Sequence, residues 1–133
     1  MSLETTCAAW RPRILSILRI AAGLLILQHG TAKLLGFPAT DFRPDIGSMP
    51  GIAGIIELVG GILIVLGLFT RPAAFILSGM TAVAYFYAHA PQDFFPLRNG
   101  GELAALYSFV FLYLTFAGPG PWSIDAQRGS RAA

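Results

Sequence analysis

The amino-acid sequence predicts an all-α integral membrane protein, a bundle of four transmembrane helices that forms a single domain over residues 1–133. Of the 133 residues, 55% are apolar and only 12% are charged, whereas soluble domains carry about 25% charged residues. The mean hydropathy of +0.65 exceeds what so small a globule can bury, because small domains leave much of their surface in water. An ordinary soluble enzyme and a disordered regulator are therefore excluded.

Four apolar stretches account for the predicted helices. They lie at about residues 14–35, 51–69, 72–90 and 100–117. Each approaches the roughly 20 residues that a helix needs to cross about 30 Å of hydrocarbon. Open strands cannot cross, because their backbone groups find no hydrogen-bond partners in lipid. The predicted surroundings of this chain are therefore the lipid bilayer.

The first apolar stretch shares one feature with secretory signal peptides, since Arg11 and Arg13 precede it. Arg19, Gln28 and His29, however, interrupt the part that is most apolar in a signal peptide. We therefore expect this stretch to be retained as a transmembrane helix rather than cleaved.

The distribution of arginines predicts the orientation of the four helices. With four spans, both termini share one side of the membrane with the tight turn between the second and third helices. That side holds Arg11, Arg13, Arg71, Arg128 and Arg131. The two other loops hold one arginine each, Arg43 and Arg98. Because positively charged segments stay in the cytoplasm, both termini are predicted to be cytoplasmic and the two longer loops to face outward.

The charge and the single cysteine exclude further classes of protein. Nine basic and seven acidic residues give a net charge of +2 without the dense basic face that nucleic-acid binding requires, so no nucleic-acid partner is expected. Cys7 is the only cysteine, so the sequence has no disulfide framework, redox pair or thiolate zinc site.

Polar residues gather at the outward ends of the four predicted helices. An ionisable group inside a membrane is costly and is by default a functional candidate. From the helical rise, a deep layer about 8 to 10 Å below the outward surface contains His29, Glu57 and Tyr85. A shallow layer about 2 to 5 Å down contains Lys33, His89 and Glu102. The cytoplasmic halves of the second, third and fourth helices carry no charge.

This cluster suits a small-molecule or proton-handling site, and a quinone head group near the membrane surface fits it. Histidine titrates near neutrality and can donate to a carbonyl or relay a proton. In this interpretation His29 and Tyr85 bond to the carbonyls, Glu57 and Glu102 carry protons, and Lys33 adjusts the carboxylates. The predicted catalytic residues are Glu57, His29 and Glu102. The predicted binding residues are His29, Lys33, Tyr85, His89, Gln28 and Asn99.

Several alternatives remain open. A structural interpretation pairs Lys33 with Glu57 or Glu102 and makes the protein a non-catalytic scaffold or assembly subunit. A small permease would require a homo-oligomer, since two helical hairpins are few. An internal duplication would make His29–Glu57 and His89–Glu102 equivalent pairs. A haem or metal site is less favoured, because the Glu-x-x-His repeat of di-iron bundles is absent and the two histidines differ by about 8 Å in depth.

Five short motifs follow one another along the chain: QHGTAKL at 28–34, ELVGG at 57–61, GLFTRPA at 67–73, NGGE at 99–102 and GPGPWSID at 118–125. This ordered set resembles the DoxX family, small four-helix proteins of the bacterial inner membrane. Its relatives include the membrane part of a thiosulfate:quinone oxidoreductase, so the resemblance implies a redox system and quinone chemistry. The sequence has no flavin, nucleotide or iron–sulfur motif, so a redox partner protein is expected to supply electrons.

Overall fold

The computed structural model describes the backbone of residues 1–132 and the side chains of residues 1–129. That part of the chain is helical and has no β-strand, so the predicted all-α class is confirmed. The helices are α1 (Leu3–Leu35), α2 (Met49–Leu66), α3 (Thr70–Ala84), α4 (Pro96–Asn99), α5 (Glu102–Ala117) and α6 (Ile124–Ala132). Helix α3 continues directly into a single π-helical turn, Tyr85–His89.

Within residues 1–132, two helices are both long and apolar enough to cross a membrane, α1 with 33 residues and α2 with 18. Helix α5 is apolar but has 16 residues, and α3 has 15 residues before its π turn. The predicted spans 14–35, 51–69, 72–90 and 100–117 overlap α1, α2, α3 with its π turn, and α5, in that order.

The structure differs from the sequence-based expectations mainly at the helix ends. Helix α1 begins at Leu3, well before the predicted residue 14. Ser2 caps its start, because the Ser2 side chain accepts the backbone N–H of Thr5 at 3.1 Å. Helix α2 ends at Leu66, short of the predicted residue 69, because Gly67 adopts a left-handed conformation with φ of 67°. Helix α6 was not predicted, since its sequence is polar and short.

The start of α3 is capped by a residue far along the chain. The carboxylate of Asp125 accepts the backbone N–H of Phe69 at 2.9 Å and that of Thr70 at 2.8 Å. Partial burial acts to raise the pKa of Asp125, but these hydrogen bonds and the positive charge of Arg128 outweigh it and hold the pKa below its ordinary value. Helix α3 therefore starts at Thr70, ahead of the predicted residue 72.

The helices pack as two antiparallel pairs, α1 with α2 and α3 with α5, and the pairs contact each other less extensively. In the first pair, a Cβ atom at Gly30 would lie 2.5 Å from the backbone nitrogen of Leu58. In the second pair, the Ser78 hydroxyl donates to the Ser108 carbonyl at 2.8 Å. This arrangement brings the end of α1, the start of α2, the π turn and the start of α5 together at one end of the molecule, which we call the Lys33 end.

The centre of the molecule is apolar, and so is most of its outside. Ile26, Ile64, Leu77, Phe111 and Leu114 form the core, each at most 1% exposed. Large apolar side chains also project outward on every main helix; they include Leu24, Val59, Phe75, Phe109 and Phe116. A continuous apolar exterior of this kind is stable in lipid and would aggregate in water.

The opposite end, where α2 turns into α3 and α5 leads to α6, is held by a buried arginine. Arg19 is 1% exposed, and its guanidinium donates to the backbone carbonyls of Ile64 at 2.9 Å and Trp122 at 2.7 Å, and to that of Pro119. Three segments distant in sequence therefore meet on one side chain. This role was not anticipated, since the sequence showed Arg19 only as an interruption of an apolar stretch.

Candidate functional site

An ion pair lies between α1 and α2 at the Lys33 end. The Nζ atom of Lys33 is 2.8 Å from Oε1 of Glu57, and the Glu57 side chain is buried while that of Lys33 is one-fifth exposed. Gly54, one turn before Glu57, allows this approach, because a Cβ atom there would lie only 3.2 Å from Cβ of Lys33. Of the two carboxylates that sequence reasoning offered to Lys33, the structure pairs it with Glu57.

The ion pair forms part of the wall of a polar cavity of about 270 Å³. The other titratable residues in the wall are His29 from α1, His89 from the π turn and Tyr107 from α5. Apolar residues, among them Ala53 and Leu103, complete the lining. The structure therefore brings four of the predicted site residues, His29, Lys33, Glu57 and His89, to one cavity between the two helix pairs.

Tyr107 was not among the predicted site residues. It is 7% exposed, its ring meets that of His29 edge to face with centroids 6.0 Å apart, and it stacks on Phe111 at 5.8 Å. Five residues into α5, Tyr107 lies about 8 Å from the helix start by helical rise. That is the depth assigned to His29 and Glu57, so a depth comparison across all four helices would have found it.

The orientation of His89 is set by the loop that follows it. Its Nδ1 atom lies 3.1 Å from the backbone carbonyl of Asn99. A carbonyl oxygen only accepts hydrogen bonds, so Nδ1 carries the proton and donates. In the neutral ring, Nε2 then has a free lone pair, and on protonation it becomes a donor. The predicted His89–Glu102 pair is not formed, because His89 bonds to the loop backbone instead.

Tyr85 and Asn99, both predicted to bind a ligand, bond to each other outside the cavity wall. The Asn99 amide donates to the Tyr85 hydroxyl at 3.2 Å and to the Asp93 carbonyl at 3.0 Å. The side-chain carbonyl oxygen of Asn99 accepts the backbone N–H of Gly101 at 2.8 Å. Asn99 is 3% exposed. These contacts fix the connection between α3 and α5. The backbone carbonyl of Asn99, held in this way, fixes the orientation of the His89 ring.

Gln28 and Glu102, the remaining predicted site residues, lie apart from the cavity. Both are exposed, and neither lines its wall. Gln28 precedes His29 by one residue, and successive residues on an α-helix point about 100° apart. Glu102 is the first residue of α5, one and a half turns before Tyr107, and lies on another face of that helix.

Comparison with known proteins identifies the family. The DoxX family profile matches residues 14–90. The chain belongs to the DoxX family. This DoxX protein is 50% identical over 122 residues to an uncharacterized protein of Haemophilus influenzae, covering 87% of this chain and 91% of the relative. It is 35% identical over 130 residues to the inner membrane protein YphA of Escherichia coli, covering 90% and 93%.

A more distant relative carries a functional name. The DoxX protein is 30% identical over 115 residues to the putative oxidoreductase CatD of Bacillus subtilis, covering 71% of this chain and 85% of the relative. No solved structure matches the chain. The family resemblance predicted from the sequence motifs is confirmed, and the protein is a membrane protein of that family.

The cavity of this DoxX protein offers both donors and acceptors of hydrogen bonds. Tyr107 and the Lys33 ammonium donate, the Glu57 carboxylate accepts, and His29 and His89 can do either according to protonation. Within residues 1–132, no three His, Cys, Asp or Glu side chains form a group suited to hold a metal ion. The lining therefore presents hydrogen-bond donors and acceptors to the same space.

Proposed function

We propose that this DoxX protein is a component of a membrane redox system and binds a quinone head group in the polar cavity. The observation that carries the proposal is that His29, the Lys33–Glu57 pair, His89 and Tyr107 line one cavity between apolar helices. Such a concentration of polar groups is costly in a membrane and is retained where it serves a function. The name of the CatD relative, putative oxidoreductase, agrees with a redox role.

Each lining group has a part in this proposal. Tyr107 and His29 donate hydrogen bonds to the quinone carbonyl oxygens, and Tyr107 takes the place that sequence reasoning gave to Tyr85. His89 exchanges a proton through Nε2, the ring nitrogen that the loop leaves free. Glu57 exchanges a second proton, and Lys33 stabilises its carboxylate form. Two protons accompany the two electrons that convert a quinone to a quinol, and a partner protein supplies those electrons.

The proposal includes four membrane crossings, by α1, α2, α3 with its π turn, and α5. The apolar exterior on each of these helices supports it. The excess of arginine at the termini and at the turn before α3 supports an orientation with both termini in the cytoplasm. The Lys33 end, with the polar cavity, then lies in the outer half of a bacterial inner membrane.

Quinone binding to the purified protein tests this function. We expect the double variant His29→Ala/Glu57→Gln to lose about tenfold or more in affinity, because the first change removes a proposed hydrogen bond to a quinone carbonyl and the second breaks the ion pair in the cavity wall. The matched control is Gln28→Ala/Glu102→Gln, at two exposed positions outside the cavity. Gln28 is the neighbour of His29, and Glu102→Gln is the same change of residue type as Glu57→Gln. Equal affinity of the double variant and the wild-type protein would exclude the proposed site.

A second candidate is a non-catalytic scaffold or assembly subunit of an oxidoreductase complex. It is favoured by one observation, that the Lys33–Glu57 pair joins α1 to α2 as a structural cross-link does. Removing one partner of a buried pair leaves an uncompensated charge. The scaffold hypothesis therefore predicts that Lys33→Met lowers the melting temperature and reduces the amount of partner protein that copurifies. Quinone binding, if the wild-type protein has any, does not change.

A further inference from the structure

A second, larger cavity adjoins the polar one. It is an open groove of about 690 Å³ between α2 and α3, and its lining is almost wholly apolar. Ile52 and Ile56 contribute from α2, and Phe75, Ile76 and Val83 from α3. The size of the groove is within the range of small-molecule sites in proteins, about 300 to 1,000 Å³.

The groove and the polar cavity share one wall. Lys33, Ala53, Met80, Ala84 and His89 line both. The two spaces are therefore immediate neighbours, one with polar groups in its wall and the other almost wholly apolar. A ligand that reaches from one into the other must combine a compact hydrogen-bonding head with a long apolar tail.

Gly79 keeps the groove open on the α3 side. It lines the groove, and a Cβ atom built there would meet no atom within 4 Å. It therefore differs from Gly30, whose missing side chain lets two helices touch. The space at Gly79 is not used for helix packing and is free for a ligand.

We propose that the α2–α3 groove holds the tail of the same molecule whose head occupies the polar cavity, so that the ligand is a long-chain quinone that enters sideways from the lipid. This inference rests on the proposed function and specifies its substrate class. Lipid chains are as apolar as the groove, so binding the tail gains little from the hydrophobic effect. The gain comes from close contacts and from holding the head in one orientation.

The experiment uses one variant that fills the groove and two quinones that differ only in their tails. Affinities of decylubiquinone and of the same head group without a tail are measured with the full-length protein in nanodiscs. We expect Gly79→Phe to weaken decylubiquinone binding by about tenfold and to leave the tail-less quinone within about twofold of wild type. The control Val59→Phe places the same ring on an exposed face of α2 outside both cavities and should change neither affinity.

The outcomes separate this inference from the function on which it rests. If Gly79→Phe leaves decylubiquinone binding intact while His29→Ala/Glu57→Gln abolishes it, the quinone head group binds in the polar cavity but the groove proposal is wrong. The groove would then hold an ordinary lipid chain or a second copy of the protein. If the wild-type protein binds neither quinone, both proposals are wrong. Because a Cβ atom at this position meets no other atom within 4 Å, the melting temperature should stay near the wild-type value, and Gly79→Leu provides a smaller variant for the same comparison.

Discussion

Arg19 carries a permanent charge into the interior of a membrane protein, and the structure shows what compensates it. Its donors meet carbonyl oxygens at the end of α2 and in the segment between α5 and α6. Carbonyls at a helix C-terminus lack partners within the helix and carry partial negative charge. A guanidinium with its rigid fork of donors satisfies several of them at once. Burial of the charge is thus matched by hydrogen bonds to backbone carbonyls of two other segments.

The first prediction concerns this residue. Arg19→Lys keeps the charge but cannot reach the same set of carbonyls, so buried acceptors lose their partners. We expect a loss of about 3 kcal/mol in the free energy of unfolding, measured by denaturation of the protein in detergent. Arg11→Lys, at an exposed position of α1, is the control and should change stability by less than about 0.5 kcal/mol. Equal stability of the two variants would contradict the role assigned to Arg19.

For the residues of the site, the sequence predicts the depth in the membrane but not the direction in which each side chain points around its helix. Depth follows from counting residues at a fixed rise, and it correctly grouped His29 with Glu57 near one level. Rotation is normally read from the contrast between an apolar and a polar face, and a helix in lipid has apolar faces all round. Sequence reasoning therefore could not distinguish Glu57, which turns inward, from Glu102, which is exposed. Tyr85 was assigned to the site for the same reason, whereas Tyr107 was overlooked because its depth in α5 was not compared with that of His29 and Glu57.

At the scale of the elements, helix centres were predictable and helix ends were not. A run of apolar residues long enough for the bilayer must be helical, because no other open structure satisfies its backbone in lipid. The ends depend on caps. Ser2 and Gly67 are caps within a few residues of their helices, whereas the cap of α3 is Asp125, which reaches that position only in the folded molecule.

The second prediction compares two glycines in helices of this protein. A Cβ atom at Gly30 would lie 2.5 Å from the backbone nitrogen of Leu58, so Gly30→Ala must push α1 and α2 apart. We expect it to destabilise the fold by about 1 to 3 kcal/mol. Gly79→Ala meets open space and should be neutral or stabilise α3 by up to about 1 kcal/mol. Denaturation in detergent measures both, and a loss of stability in Gly79→Ala would show that the α2–α3 groove is closed in solution.

At the scale of the whole molecule, the two ends are stabilised in different ways. The Arg19 end is held by charged groups that bond to backbone atoms of distant segments, through Arg19 and Asp125. The Lys33 end instead contains a cavity, and its polar groups face that space as well as each other. The Arg19 end is therefore packed around buried hydrogen bonds, whereas the Lys33 end leaves a space beside its polar groups.

The third prediction concerns the crossing of the membrane by the whole chain, and the protein contains a natural probe for it. Cys7 is the single cysteine and is exposed on α1. In a Cys7→Ser background, Gly47→Cys, Gln92→Cys and Gly129→Cys place one thiol in each loop that is predicted to face outward and one in α6, all at exposed positions. With four crossings and cytoplasmic termini, a membrane-impermeant maleimide applied to spheroplasts labels Gly47→Cys and Gln92→Cys. It labels Cys7 of the wild-type protein and the thiol of Gly129→Cys only after the membrane is opened.

Two outcomes would contradict four crossings. If both wild-type Cys7 and Gly47→Cys are labelled in intact spheroplasts, α1 does not cross the membrane. If both Gly129→Cys and Gln92→Cys are labelled there, α5 does not cross it. In either case the polar cavity could not lie where a quinone reaches it from the outer half of the bilayer.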